Sequence, residues 1–171
     1  ASKGKEQNKE AFIMAHVSGN RRTDSASRII VASAQTIYQS FLHPEALVSW
    51  LPPEGMSGHI DMFDPREGGT YRLTLTYEMD HSNPGKTSEN TDVSQVKFLE
   101  LVPNKRIVQS VKFHSDDQEF LGEMKQTWLL ESISEGTKVT IICENVPEGI
   151  RKEDHDTGLR STLENLATFT E

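Results

Sequence analysis

Between Thr70 and Met79, large apolar residues fall on every second position: Tyr71, Leu73, Leu75, Tyr77 and Met79 alternate with Thr70, Arg72, Thr74, Thr76 and Glu78. A period of two puts all of the first set on one face of a strand, and that face has to be covered. Gly68 and Gly69 just ahead of it mark a sharp turn, and Pro52, Pro53 and Gly55 do the same before the preceding strand. The alternation returns later. Met124, Gln126, Trp128 and Leu130 alternate with Lys125, Thr127, Leu129 and Glu131, and Val139, Ile141 and Cys143 oppose Lys138, Thr140, Ile142 and Glu144. Asp92 to Val102 and Arg106 to His114 read as two more strands, joined by Pro103, Asn104 and Lys105. Asp80 to Thr91 reads as a long, polar, mobile hairpin loop. Turn signals rather than helices separate these segments, which predicts antiparallel pairing in a meander with one half-buried sheet.

Both ends of the chain change period. Ser27 to Ala32 is a short apolar strand, and Ser33 is placed to cap a helix in which Ile37 and Phe41 share a face. Pro44 suits the first turn of a second helix that runs to about Trp50 and is stopped by Pro52 and Pro53. At the far end Leu159, Leu163, Leu166 and Thr170 recur at helical spacing, the natural cover for the apolar sheet face. Gly158, just before that stripe, costs about 1 kcal/mol in helix propensity and is expected to permit close approach to a strand. Residues 1–25 read as a flexible extension, with Phe12 and Ile13 available to dock, and 26–171 as a single domain.

Charge and composition narrow the classes of function. The chain of 171 residues has a net charge of −8, the wrong sign for neutralising a phosphate backbone, so nucleic acid is disfavoured. Its single cysteine, Cys143, rules out an internal disulfide framework and fits a reducing, cytoplasmic setting. The apolar run Ala11 to Ala15 is far too short to span a bilayer, so no membrane insertion is expected.

The order strand, two short helices, antiparallel strands and long C-terminal helix resembles the START-like helix-grip fold. More specifically, the chain resembles the family named after the activator of the heat-shock-ninety chaperone ATPase. The matching pieces are Ala34 to Phe41, HPEAL with Trp50, PPEGM, FDPREGGTYRL, FLELVPNKRIV at Phe98 to Val108, EGTKVTI at Glu135 to Ile141, and Gly158 with Leu159. The resemblance implies an α+β fold in which a curved antiparallel sheet of six to seven strands wraps a long C-terminal helix around an elongated apolar cavity. Related families use that scaffold for lipids, hormones and polyketides, and occasionally for catalysis. Two positions depart from the family pattern: His43 stands where an aspartate is common before the proline, and Leu159 where a tryptophan is common after the glycine. The first weakens a helix cap and the second changes a cavity wall. Chaperone activation is not expected to carry over, because residues 1–25 cannot supply the separate N-terminal domain of the activator for which the family is named. A chaperone partner stays an unsupported alternative.

The candidate chemistry is sparse. His16, His43, His59, His81, His114 and His155 include no pair three or four apart and none near the cysteine, so no metal or cofactor is expected. His59 and Asp61 share a strand face and are the weak candidates for an acid and a base. The Gly55 to His59 segment lacks the spacing and preceding strand of a nucleophile elbow, and Gly68-Gly69 lacks the following helix of a phosphate loop. The apolar stripe reads equally well as core and as pocket lining. The pocket reading draws on polar tips among apolar neighbours, Gln126, Tyr71 and Tyr77, which need partners or ligand atoms when buried. The expected lining is Trp50 near the mouth, Met56, Tyr71, Leu73, Leu75, Tyr77, Phe98, Val111, Phe113, Met124, Gln126, Trp128, Val139, Leu159 and Leu163. A bulge would flip the later residues of a strand out of that set. The leading expectation is a carrier or sensor of a small apolar molecule. The alternatives are a cyclase- or dehydratase-type enzyme using His59 and Asp61, and an interaction protein.

Overall fold

A computed structural model describes residues 21–78 and 90–171 of the chain. The readings for Phe12, Ile13, His16, Met79, His81 and most of the 80–91 loop lie outside the described residues. Seven strands, β1 (Asp24–Ile30), β2 (Met56–Asp61), β3 (Thr70–Tyr77), β4 (Thr91–Val102), β5 (Arg106–Phe113), β6 (Glu123–Ile133) and β7 (Gly136–Glu144), form one antiparallel sheet. Its order is β1-β7-β6-β5-β4-β3-β2, so every neighbour but the β1–β7 pair is a hairpin partner. The sheet curves into a half-barrel around helix α3 (Lys152–Thr170), and the short helices α1 (Ala34–Gln39) and α2 (Pro44–Trp50) follow β1.

Local chemistry accounts for the element ends. The Ser33 side chain accepts a hydrogen bond from Thr36 N–H at 3.1 Å, capping α1. His43, at the start of α2, makes no side-chain cap bond, so Pro44 alone sets that entry. Gly68 has φ +82°, and a Cβ on Gly69 would lie 2.1 Å from the Asp64 carbonyl oxygen, so the turn into β3 tolerates no side chain there. β1 begins at Asp24, earlier than the apolar run from Ser27 suggests, because Asp24 is pulled inward and pairs with Cys143.

Alternation delivers one inward face. The register sets Tyr71 against Val96, Val96 against Val111, and Val111 against Met124, and all four are buried. In β4 the register shifts between Phe98 and Glu100. Leu99 is left exposed by this bulge, and the inward parity moves from Phe98 to Leu101, which pairs with buried Ile107. On α3 the residues Leu159, Thr162, Leu163, Leu166 and Ala167 are buried against that face.

Candidate functional site

The space between the inner sheet face and α3 has two unlike ends. At one end, Phe41 from the α1–α2 connection, Trp50 from α2 and Trp128 from β6 make mutual edge-to-face contacts with ring centroids 4.8, 5.0 and 5.6 Å apart. Trp50, expected near a mouth, is fully buried and donates its Nε1–H to the Ser40 carbonyl at 3.2 Å. Ile107 and Ile141 stand opposite Trp128 on the neighbouring strands, and Leu130 pairs with Val139 in the next inward row, all buried.

At the other end lie the last residues of β3, the first of β4 and β2, and the first turns of α3. The inward residues Met56, Leu75, Tyr77 and Phe113 are only half-buried. Burial raises the pKa of the Tyr77 phenol, and the charges of Asp92 and Asp154 raise it further. Gly158 lies one turn beyond Asp154. A Cβ built there meets nothing within 4 Å, so this glycine leaves room instead of bringing the helix onto a strand as its position suggested. The close approach comes from another glycine. A Cβ on Gly58 would lie 2.8 Å from Pro52 Cγ, so its absence lets the loop after α2 fold over the inner side of β2. Three bonds to α3 hold that loop: Ser161 Oγ accepts from Glu54 N–H at 2.9 Å, Thr162 Oγ1 donates to Leu51 O at 3.1 Å, and Asn165 Nδ2 donates to Pro52 O at 3.0 Å.

Between the two ends a polar row crosses the sheet. Phe98, Gln109, Gln126, Cys143 and Asp24 stand opposite one another on β4, β5, β6, β7 and β1. Tyr71 and Gln109 share a side-chain hydrogen bond, although burial still drives the Tyr71 phenol well above its ordinary pKa. Trp128 Nε1–H donates to Gln126 Oε1 at 3.1 Å, and Gln126 Nε2 reaches Cys143 Sγ at 3.7 Å, a weak acceptor. Burial pushes the Cys143 thiol up to about 12 against the lowering effect of the Gln126 bond, so this cysteine is no nucleophile.

The row ends in an ion cluster. Arg22 Nε donates to both oxygens of Asp24 at 3.0 and 2.9 Å, while Arg22 Nη2 bonds the Ile150 carbonyl. His155 Nδ1, on α3, lies 2.7 Å from Asp24 Oδ2, so that nitrogen is the protonated one. Burial raises the Asp24 pKa, but the bonds from His155 and Arg22 outweigh it and hold the carboxyl below its ordinary range. The cluster ties β1 to the first turns of the helix.

Of the residues expected from sequence, Tyr71, Leu73, Leu75, Tyr77, Phe98, Val111, Phe113, Met124, Gln126, Trp128 and Val139 share the inner face, with Met56 at its edge and Leu159 and Leu163 facing it from α3. His59 and Asp61 do not join them. His59 Nε2 lies 2.7 Å from Asp61 Oδ1 on the opposite, outer face of edge strand β2, with the histidine side chain 72% exposed. The bond from Arg72, then that from His59, lowers the Asp61 pKa. Asp24, Asp92, Ser94, Gln109 and His155 line or bound the site and were not singled out from the sequence. For Gln109 a signal existed, since it interrupts the alternation Ile107, Val111, Phe113. Among the described residues no group of three or more His, Cys, Asp or Glu could hold a metal ion, and no helix is long and apolar enough to cross a membrane.

With this geometry in place, comparison with known proteins is informative. A family model described as Activator of Hsp90 ATPase homolog 1-like protein matches residues 31–171. The chain is similar to the crystal structure of protein CV1439 from Chromobacterium violaceum at 32% identity, over 87% of this chain and 96% of that one, with a TM-score of 0.76. Protein NE0264 from Nitrosomonas europaea is similar at 20% identity, over 86% and 93% of the two chains, with a TM-score of 0.65. A solution structure of a protein from Arthrobacter aurescens is similar at 16% identity, over 86% and 85%, with a TM-score of 0.72. The last two speak for the fold alone. No curated protein matches the chain.

Proposed function

The chain belongs to the family of Activator of Hsp90 ATPase homolog 1-like proteins, and from that premise we propose that its domain, taken as residues 26–171, binds a small apolar molecule between sheet and helix as a carrier or sensor. One observation carries this reading. Gln126 is half-buried although Met124 and Trp128 on its own strand face, and Gln109 and Cys143 beside it in its row, are all buried. A side chain in the middle of the inner face keeps exposed surface only where the opposing layer stands off, and at the start of α3 a Cβ on Gly158 would meet nothing within 4 Å. The half-buried Leu75, Tyr77 and Phe113 extend the same wall toward the end of β3. Concave, mostly apolar walls with a few polar groups are the usual small-molecule site. The geometry favours binding over catalysis, because among the described residues the inward-facing His155–Asp24 pair has its carboxylate taken up by Arg22 as well.

Native mass spectrometry of the freshly purified protein, followed by thermal melts against sterols, flavonoids, fatty acids and polyketide-like aromatics, tests the reading. Free ligand at a hundredfold over its dissociation constant stabilises the folded state by about 2.7 kcal/mol. At about 2 to 4 °C per kcal/mol for a domain of this size, the melt should rise by roughly 5 to 10 °C. Tryptophan emission should shift with it, since Trp128 bonds Gln126 directly. A panel without any shift, together with a crystal structure in which side chains fill the gap over Gln126, would return the whole stripe to plain core.

A further inference from the structure

Resting on that reading, we infer that the ligand carries no negative charge, an apolar body whose inner end carries a hydroxyl or carbonyl group held by Gln109 and Gln126. The buried polar and charged residues, among those described, are Asp24, Ser40, Asp92, Ser94, Gln109, Thr137 and Thr162. None of these is cationic. The Arg22 guanidinium and the His155 ring, which border the polar row, are both bonded to Asp24. A carboxylate or phosphate entering the space would therefore be desolvated beside two buried acidic residues with no described buried cation to meet it, a large penalty.

The row offers something else. Gln109 and Gln126 face each other across β5 and β6, and each amide presents both a donor and an acceptor. Gln126 spends its oxygen on Trp128 Nε1, while its nitrogen has the Cys143 sulfur at 3.7 Å as its weak partner. That leaves a usable N–H on a side chain that keeps exposed surface. Tyr71 adds a phenol bonded to Gln109, held in its neutral, donating form by burial. Such groups suit an alcohol or ketone oxygen and offer no charge compensation to an anion. Beside the row, Val96 pairs with Val111 and Val111 with Met124, an apolar step nearer the half-buried end with Tyr71 at its β3 edge. The polar group of the ligand thus lies deep, at the glutamines, and its apolar body runs out over valine and methionine toward Tyr77 and Phe113.

The test compares probes of one chain length on the wild-type protein, each below its micellar concentration: dodecanol, dodecanoate and dodecane. Dodecanol should bind at least roughly tenfold more tightly than dodecanoate, read by tryptophan emission and by melting shift. Dodecanoate binding as tightly as the alcohol would overturn the inference while leaving the cavity reading standing. Failure of all three probes together with a blank screen of larger apolar compounds would sink the cavity reading itself. Gln126→Met, which keeps volume and removes the amide, should bring dodecanol to within about twofold of dodecane. An undiminished preference for dodecanol in both Gln126→Met and Gln109→Met would show that the glutamines do not hold the polar group.

Discussion

The two ends of the inner sheet face are built from the same alternating pattern and end up with opposite packing. At the end of Trp128, the indole meets Phe41 and Trp50 and is buried to 1% exposure. At the end of Tyr77 and Phe113, inward aromatic residues stay half-buried. Strand periodicity decides which side chains face inward, but the opposing layer decides whether they become core or wall. Two short helices with large aromatics close one end. At the other end, where α3 carries Gly158 and the loop after α2 is anchored to it, the inward residues Tyr77 and Phe113 stay half-buried.

The largest predicted effect tests the closed end. Trp128→Ala removes a fully buried indole from a three-ring contact and should cost about 3 to 5 kcal/mol. At about 2 to 4 °C per kcal/mol, the melt should fall by roughly 6 to 20 °C. Phe113→Ala, at the half-buried end, should cost only about 1 kcal/mol, because less apolar surface returns to water. Equal losses by chemical denaturation would erase the distinction between the ends.

The ion cluster that joins β1 to α3 comes next. Asp24→Ala leaves Arg22 and His155 facing each other without their carboxylate and should cost about 3 kcal/mol. The pH dependence follows from the depressed Asp24 pKa. Its folded value lies below the ordinary 3.8, so its contribution is fully present above that pH and is lost as pH falls through the folded pKa. Melting temperature against pH should therefore drop on the acid side in the wild type and drop less in Asp24→Ala. Parallel acid limbs in the two proteins would mean that the cluster does not hold the helix.

How far the sequence discloses this arrangement depends on the length scale of each feature. The strands, their meander pairing, the Ser33 cap, the Pro44 start and the C-terminal helix all follow from periodicity and local turn chemistry, and the inward set from Tyr71 to Val139 follows with them. Features fixed by distant partners do not. Asp24 lies in a polar stretch next to an apolar run, and its burial depends on Arg22 beside it and on His155 at the other end of the chain. Trp50 ends a short helix beside two prolines, a place that suggests a rim, yet α2 turns it inward onto Phe41. Similarly, His59 and Asp61 have the right spacing for a site and the wrong strand face, because inward parity on β2 falls to Met56, Gly58 and Ile60 opposite Tyr77, Leu75 and Leu73. Gly158 could be read from sequence as close packing or as a gap, and only the placement of α3 decides between them.

That glycine gives the smallest effect and the sharpest one. Gly158→Ala adds a methyl group where a Cβ meets nothing within 4 Å, in a helical residue whose backbone needs no positive φ. Nothing is lost in packing, and helix propensity improves by about 1 kcal/mol. The melt should rise by roughly 2 to 4 °C. Gly58→Ala is its control, since the new methyl would run into Pro52, and there the melt should fall. A longer side chain at 158 leans back over the preceding turn, toward Asp154 and Tyr77. Gly158→Leu should therefore stay at least as stable as the wild type while losing most of its dodecanol binding, because the leucine occupies the space the guest needs. A destabilised Gly158→Ala would instead show that α3 packs against the sheet at this end as tightly as it does over Trp128, and the difference between the two ends would disappear.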